Sequence, residues 1–412
     1  MESDLGSLMQ QGTILALAVA MVVFATPLFF DLGLSIVGNL LRARGPRTVQ
    51  RRTIRLAVVV PAHDEEMMIA RTVRSLKAAD AATQIYVVAH NCSDATEEVA
   101  AKAGAVVVEL KNPKLRGKGA ALRHGFAAAL EAGANAVLVI DADSVVSSNL
   151  IRATRAKLEE GAEVTQCRYE LELPADGWGR PMARLRALAF RGMNVLRARG
   201  RAGLGFSTGL FGNGFALTAR TLAHVPFSAN SIAEDVEYHT KLACEGVRVY
   251  WVGDAFVHAH MAATGRAQAT QEGRWEGGRL RVGSRATGQL MRAALTGRWR
   301  AMETLADVWS LRFRAAFSLC CLPLCCRCTG CTSLPECARE LRWFMCWRLH
   351  CWARNQCEIW LRWRLHRCTW FGRWPLRRSC CCSPAAALSG HGPSGRRRSH
   401  EWSHRNPRFA GN

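Results

Sequence analysis

Four short, unbroken apolar runs constrain this chain more than any other feature: LAVVV at 56–60, IYVVA at 85–89, AVVVEL at 105–110 and AVLVI at 136–140. None alternates apolar with polar residues. A strand without that alternation is covered on both faces, as in parallel sheets flanked by helices. The segments between the runs carry helical signals. Ile69, Val73 and Leu76 share one helical face, Ser93 and Asp94 precede ATEEVAAKA with a stop at Gly104, and AALRHGFAAALEA stops at Gly133. This alternation predicts a doubly wound α/β domain with a mostly parallel sheet.

Open sheets of this kind bind ligands at the carboxyl ends of their strands. His63, Asp64 and Glu65 follow the first run, Asn91 to Asp94 the second, Lys111 to Gly119 the third, and Asp141 to Ser144 the fourth. The rim is therefore acidic and polar. A dinucleotide site calls for G-x-G-x-x-G after the first strand, where this chain has PAHDEE. Arg116-Gly117-Lys118-Gly119 lacks both the spacing of a phosphate loop and its Ser/Thr after the lysine. Hydride transfer and P-loop hydrolysis are poor candidates.

Three clusters carry chemistry. Asp141 and Asp143 leave a buried strand in VLVIDADS, two residues apart; hard divalent cations take such oxygen ligands and share them with substrate phosphates. An isolated D-x-D equally suits a strand-end turn. Glu234-Asp235 opens a helical segment, SIAEDVEYHTKL, where acids are favoured by the helix dipole and where one of them can also serve as a general base. Gln271, Arg274 and Trp275 form Q-x-x-R-W, which also reads as a helix with one aromatic face. His258 and His260 sit on a further strand and could supply a metal ligand, although strand-end histidines are more often structural.

Taken in order, VVVPAHDEE, NCSDAT, RGKGAAL, DADS, GNGF, AEDVEYHTKL and QEGRW resemble the family 2 glycosyltransferases of GT-A fold, in the membrane-bound branch that includes cellulose, chitin and hyaluronan synthases and bacterial exopolysaccharide glycosyltransferases. The resemblance runs from about Val58 to about Arg279 and rests on the order of seven motifs, each weak alone. It implies nucleotide contacts from His63, Asp64, Glu65, Asp94, Lys118 and Asp141, and a Mg²⁺ or Mn²⁺ ion held by Asp141 and Asp143. It implies acceptor contacts from Gly212, Asn213, Gly214, Glu234, Gln271, Arg274 and Trp275, with Asp235 as catalytic base. The first turn reads H-D-E-E where the family more often has Y-N-E, which leaves the role of His63 open.

The activity so implied is an inverting transfer from a UDP-sugar to a lipid-linked or polysaccharide acceptor in exopolysaccharide or cell-envelope synthesis. A processive β-glycan synthase is the alternative within the family. From another class, a non-catalytic nucleotide-sugar sensor is disfavoured by the intact acid set.

The flanks suggest a membrane. Residues 14–30 contain no charge and apolar residues continue to Leu41, broken only by Asp31. Such a stretch can span a bilayer, and Glu2 and Asp4 ahead of it do not suit a cleaved leader. Arg42, Arg44, Arg47, Arg51, Arg52 and Arg55 follow it, which places the rest of the chain on the cytoplasmic side of the inner membrane. The arginine-rich, acid-free stretch 178–203 reads as an amphipathic helix lying on that surface.

The formal charge of +22 invites a nucleic-acid reading, but residues 320–412 alone supply +12, and the remainder shows no aromatic-studded basic surface. No nucleic-acid partner is expected. That tail holds 14 of the 17 cysteines, 8 of the 13 Trp, and no Val, Lys, Asp or Tyr. Neither zinc spacing nor a disulfide framework accounts for it. Cys and Trp codons begin TG, so moving the frame back one nucleotide turns each into Leu, Met or Val. The tail thus reads as membrane-helix sequence out of frame, shifted between about Trp309 and Cys320. The expected organisation is an anchor and basic flank at 1–55, the catalytic domain at 56–300, a linker or start of a membrane segment at 301–319, and the anomalous tail at 320–412.

Overall fold

The computed structural model describes residues 52–172, 181–260 and 265–308, together with 29–46 and a few isolated positions between 15 and 26. The tail at 320–412 and most of the apolar stretch before residue 29 lie outside the described residues. Among the described residues no helix is long and apolar enough to cross a membrane.

The four apolar runs become β1 (Leu56–Ala62), β2 (Ile85–His90), β3 (Val106–Leu110) and β4 (Ala136–Val139). They pair in parallel in the order β3-β2-β1-β4. Side chains of β1 alternate between two cores. Leu56, Val58, Val60 and Ala62 pack on one face, Ala57 and Val59 on the other. Burying each valine contributes roughly 1.5–3 kcal/mol, which is why an unalternating apolar run is stable only between two helical layers. β3 departs from the expectation of full burial. It is the sheet edge, with Val106 exposed and the rest half-buried apart from exposed Glu109.

The sheet is less uniform than expected. Its full order is β3-β2-β1-β4-β7-β6-β8-β5, adding β5 (Ser144–Val146), β6 (Val164–Glu172), β7 (Phe215–Thr218) and β8 (Val249–His260). β7 runs antiparallel to both β4 and β6, and β5 antiparallel to β8, so only the first half is uniformly parallel. The sheet is mixed because β7 enters beside β4 from the opposite direction. A bulge opposite Cys167 and Arg168 shifts the register of β8 from Val252 to Phe256, and its far end also pairs with β5, directly after Asp143.

Helices cover the sheet: α1 (29–40), α2 (Ile69–Ala79), α3 (Thr96–Lys102), α4 (Lys118–Glu131), α5 (Leu150–Glu159), α6 (Pro181–Arg191), α7 (Ala198–Leu204), α8 (Ala219–His224), α9 (Glu234–Cys244), α10 (Gly265–Leu295) and α11 (300–308). A π-helical turn, Gly192–Arg197, joins α6 to α7. α4 lies unusually close to the sheet: a Cβ on Gly125 would stand 2.5 Å from Val59 Cγ1 and 2.7 Å from Val88 Cγ2.

From Pro181 onward the arginine-rich stretch is helical, and Leu185, Leu188 and Leu196 are exposed on it. Two of its arginines are not surface charges, however. Arg201 is buried, donating to Asp307 at 2.7 Å and to the Ser207 carbonyl at 2.7 Å. Arg197 binds Asp31 of α1 at 2.7 Å and also pairs with Asp307. α1 meets α7 backbone to backbone at Gly38, Gly200 and Gly203, and Asn39 Nδ2 donates to the Leu196 carbonyl at 2.7 Å. The N-terminal helix is thereby clasped to the domain, with Leu32, Ile36, Val37 and Leu40 left exposed.

Candidate active site

Asp141 and Asp143 occupy the turn between β4 and β5, and the fold holds that turn from three sides. Asn213 Oδ1 accepts from Asp141 N at 3.2 Å, Asn213 Nδ2 donates to Ser144 Oγ at 2.9 Å, and Thr72 Oγ1 of α2 donates to the Ala142 carbonyl at 2.6 Å. Asn213, expected on the acceptor side, is fully buried and acts as a brace. It is braced in turn by Gln166 of β6. Gln166 Nε2 donates to the Asn213 carbonyl at 2.7 Å, and Gln166 Oε1 accepts from Phe211 N at 3.0 Å. Gln166 and Thr72 were not singled out from sequence. The sequence offers only a glutamine inside the strand segment VTQCRYELE; its burial, which demands hydrogen-bond partners, is visible only in the fold.

Lys118 begins α4 and reaches across the cleft. Its Nζ lies 2.5 Å from Asp141 Oδ1, 3.7 Å from Glu234 Oε1, and donates to the Gly212 carbonyl at 2.6 Å. Its start is set by close contact: a Cβ on Gly119 would sit 2.2 Å from the Ala229 carbonyl oxygen, in the loop that leads to α9. Burial pushes the Lys118 amine down, but Asp141 and Glu234 more than offset this and hold it above its ordinary value.

Glu234 and Asp235 form the first turn of α9 and are both nearly buried. Gly212 abuts them, at φ 79°, a region that disfavours any side chain, and a Cβ there would lie 3.5 Å from Asp235 Oδ2. Arg279 Nη2 of α10 stands 3.9 Å from Asp235 Oδ2. Gln271, Arg274 and Trp275 lie on the same α10, one to two turns earlier; their side chains are outside the described residues.

The acids strain against one another. Burial first, then Asp143 and Asp141, push Glu65 up to about 7. Burial, then Asp141, raises Asp143. Burial pushes Glu234 up to about 7, with Asp235 adding to the effect and Lys118 opposing it. Tyr169 is buried nearby and held above its ordinary value by that burial and by Asp141 and Asp143. Carboxylates crowded to this degree lack positive charge, and an all-oxygen donor set fits Mg²⁺ or Mn²⁺.

The remaining predicted residues lie at the ends of β1 and β2. Asp94 is engaged locally, its Oδ2 accepting from Glu66 N at 3.0 Å and its Oδ1 from Thr96 N at 3.0 Å. His63 Nδ1 lies 2.8 Å from the His90 carbonyl, and Asp64 Oδ1 accepts from Ser93 N at 2.7 Å. His258 stacks on Phe256, with ring centroids 4.4 Å apart, opposite Val145 in the β5–β8 pair.

Several known proteins resemble this chain. A mannosyltransferase from Pyrobaculum calidifontis, solved with GDP-Man and Mn²⁺, is similar over 81% of this chain and 94% of its own, with a TM-score of 0.51 and 18% identity. A glucosyl-3-phosphoglycerate synthase from Mycobacterium tuberculosis, solved with Mn²⁺, UDP and glucosyl-3-phosphoglycerate, aligns over 54% of this chain and 77% of its own at a TM-score of 0.37 and 21% identity. Protein RfbJ of Shigella flexneri is 31% identical over 94 residues, 23% of this chain and 68% of RfbJ. The family model described as "Glycosyltransferase like family 2" matches residues 54–278, more than half of the chain and all of the cleft described above as far as Gly278. This chain belongs to the family 2 glycosyltransferases.

Proposed function

We propose that this protein is a membrane-anchored, metal-dependent, inverting glycosyltransferase that moves a sugar from a UDP-sugar to a lipid-linked or polysaccharide acceptor in exopolysaccharide or cell-envelope synthesis. One observation carries the reading. The D-x-D turn after β4 and the acid pair of α9 come from distant parts of the chain and meet through Lys118, within 3.7 Å of both Asp141 and Glu234.

In this reading Asp141 and Asp143 hold a Mg²⁺ or Mn²⁺ ion, the kind of ion that accompanies nucleotide in the Pyrobaculum and Mycobacterium proteins. That ion supplies neutralisation of the diphosphate's charge. Lys118 leaves Asp141 for the diphosphate as it binds, adding a second positive charge where charge develops. Glu65 lines the nucleotide end of the cleft. Asp235 takes the proton of the acceptor hydroxyl while its oxygen bonds to the anomeric carbon; the bond from that carbon to the diphosphate breaks, and UDP leaves with the electron pair. One such displacement inverts the anomeric centre. Gly212 leaves room for the acceptor beside Asp235, and Arg279 keeps the Asp235 carboxylate directed into the cleft.

The exposed apolar side chains of α1 and of α6 through the π-helical turn support a site held against the inner membrane, with the catalytic domain on the cytoplasmic side, where UDP-sugars are made. The test is incubation of membranes carrying the full chain with labelled UDP- and GDP-sugars and either metal. Transfer from a UDP-sugar with inversion supports the reading. Transfer from a GDP-sugar alone overturns the donor, retention overturns the mechanism, and nucleotide-sugar binding without any transfer favours the sensor alternative.

A further inference from the structure

The parallel neighbours β1 and β2 end side by side, and the loops after them bring three soft and hard ligands together. One ligand atom from each of His63, Asp64 and Cys92 lies within 4.8 Å of the others. We propose that these three side chains form a cation site for a thiophilic divalent ion such as Zn²⁺, built from residues other than the Asp141/Asp143 pair.

The orientation of each group favours this. A carbonyl oxygen can only accept, so the 2.8 Å contact between His63 Nδ1 and the His90 carbonyl places the proton on Nδ1 and leaves the Nε2 lone pair free. Metal-binding histidines are held in this way, with the second ring nitrogen donating to a carbonyl or carboxylate. Nε2 faces Asp64 Oδ2 at 3.9 Å. Asp64 Oδ1 accepts from Ser93 N at 2.7 Å, and Ser93 Oγ stands 3.2 and 3.3 Å from the two carboxylate oxygens, so the carboxylate is anchored at Ser93 beside the site. Cys92 Sγ lies 3.6 Å from the Ala62 carbonyl, at the end of β1, which fixes the thiol between the two loops.

Asp64 and Asn91, one in each loop, are the non-glycine residues at positive φ among the described residues, at 54° and 52°. The fold thus places both loops in an uncommon conformation. Zinc bonds of about 2.0–2.1 Å to nitrogen and oxygen and about 2.3 Å to sulfur set the ligand atoms roughly 3.3–3.6 Å apart, so a pair at the 4.8 Å limit closes by about 1.2–1.5 Å. His63 and Asp64 are exposed, leaving room for water as the fourth ligand.

Two properties follow. An imidazole, a carboxylate and a thiolate select a borderline-soft ion over Mg²⁺, whereas the acid cluster around Asp141 offers oxygen alone. Binding releases the Cys92 proton to solvent, because the thiolate is the ligand. Glu65 directly follows Asp64, so the ion sits at the nucleotide end of the cleft and Zn²⁺ hinders the donor there. That last consequence rests on the function proposed above; the site itself does not.

Cobalt(II) reports the site without reference to activity, since thiolate coordination gives a charge-transfer absorption. The full chain and its Cys92→Ser variant are titrated with Co²⁺ in parallel, so that the cysteines of the tail cancel in the difference. The expected result is about one fewer thiolate-bound cobalt per chain in the variant. Zn²⁺ should displace the difference signal and excess Mg²⁺ should not. His63→Gln should retain the absorption but weaken cobalt binding at least about tenfold. Superimposable titrations of the wild type and Cys92→Ser, or displacement by Mg²⁺, would overturn the proposal.

Discussion

Arg279 Nη2 lies 3.9 Å from Asp235 Oδ2, so the helix that carries Q-x-x-R-W meets the proposed base at the start of α9 through a cation outside that motif. Arg279→Met should lower kcat by about tenfold or more, the scale of a misplaced catalytic group, with a smaller change in KM for donor. Arg279→Lys should restore part of kcat. Equal loss in both variants through KM alone would assign Arg279 to substrate binding.

Asp235→Asn keeps the shape of the α9 turn and removes the proton acceptor. Turnover should fall at least about 10²-fold with nucleotide-sugar affinity preserved, as for a positioned general base. Near wild-type transfer by the variant would move the base elsewhere, with Glu234 the adjacent acid.

Asp143→Ala should weaken metal and nucleotide together. A bound ion would relieve the repulsion among Glu65, Asp141 and Asp143, so removing one oxygen donor should weaken both ligands. Calorimetric titration of UDP with and without Mn²⁺ checks this; unchanged metal-dependent UDP affinity in the variant would refute the clamp.

Burial pushes His239 of α9 down to about 4, against an ordinary value near 6.5, and Thr304 Oγ1 lies 3.3 Å from its Nε2. Between those values the unfolded chain binds more protons than the folded one, so stability is full above about pH 6.5 and falls as pH drops toward 4. Denaturant unfolding at pH 7 and pH 5 should show a loss of about 1–2 kcal/mol from this group, absent in His239→Gln. Equal pH dependence in the two proteins would rule out His239 as the cause.

A reporter fused after Arg55 should lie on the cytoplasmic side, because the arginine cluster resists translocation. Mass spectrometry should find no peptides from the Cys/Trp/Arg tail if resequencing reveals the frame shift. Tail peptides from an uninterrupted frame would refute it.

The sequence by itself determined the first four strands, because apolar runs without alternation favour a sheet layered between helices, although β3, at the edge, is only half-buried. It also determined the order of the acidic rim, since parallel strands deliver their following residues to one edge. Tertiary structure decided what those residues do to each other. That Asn213 braces Asp141 instead of lining the cleft, and that Gln166 braces Asn213, depends on β7 entering antiparallel between β4 and β6, a pairing with no local signature. Arg197 and Arg201 read as surface charge from their neighbours in sequence. Their partners Asp31 and Asp307 lie more than a hundred residues away, and only folding could show that the arginines are paired. Period and composition report what each segment buries. Which charges meet is set by long-range packing, and the active site consists of such meetings.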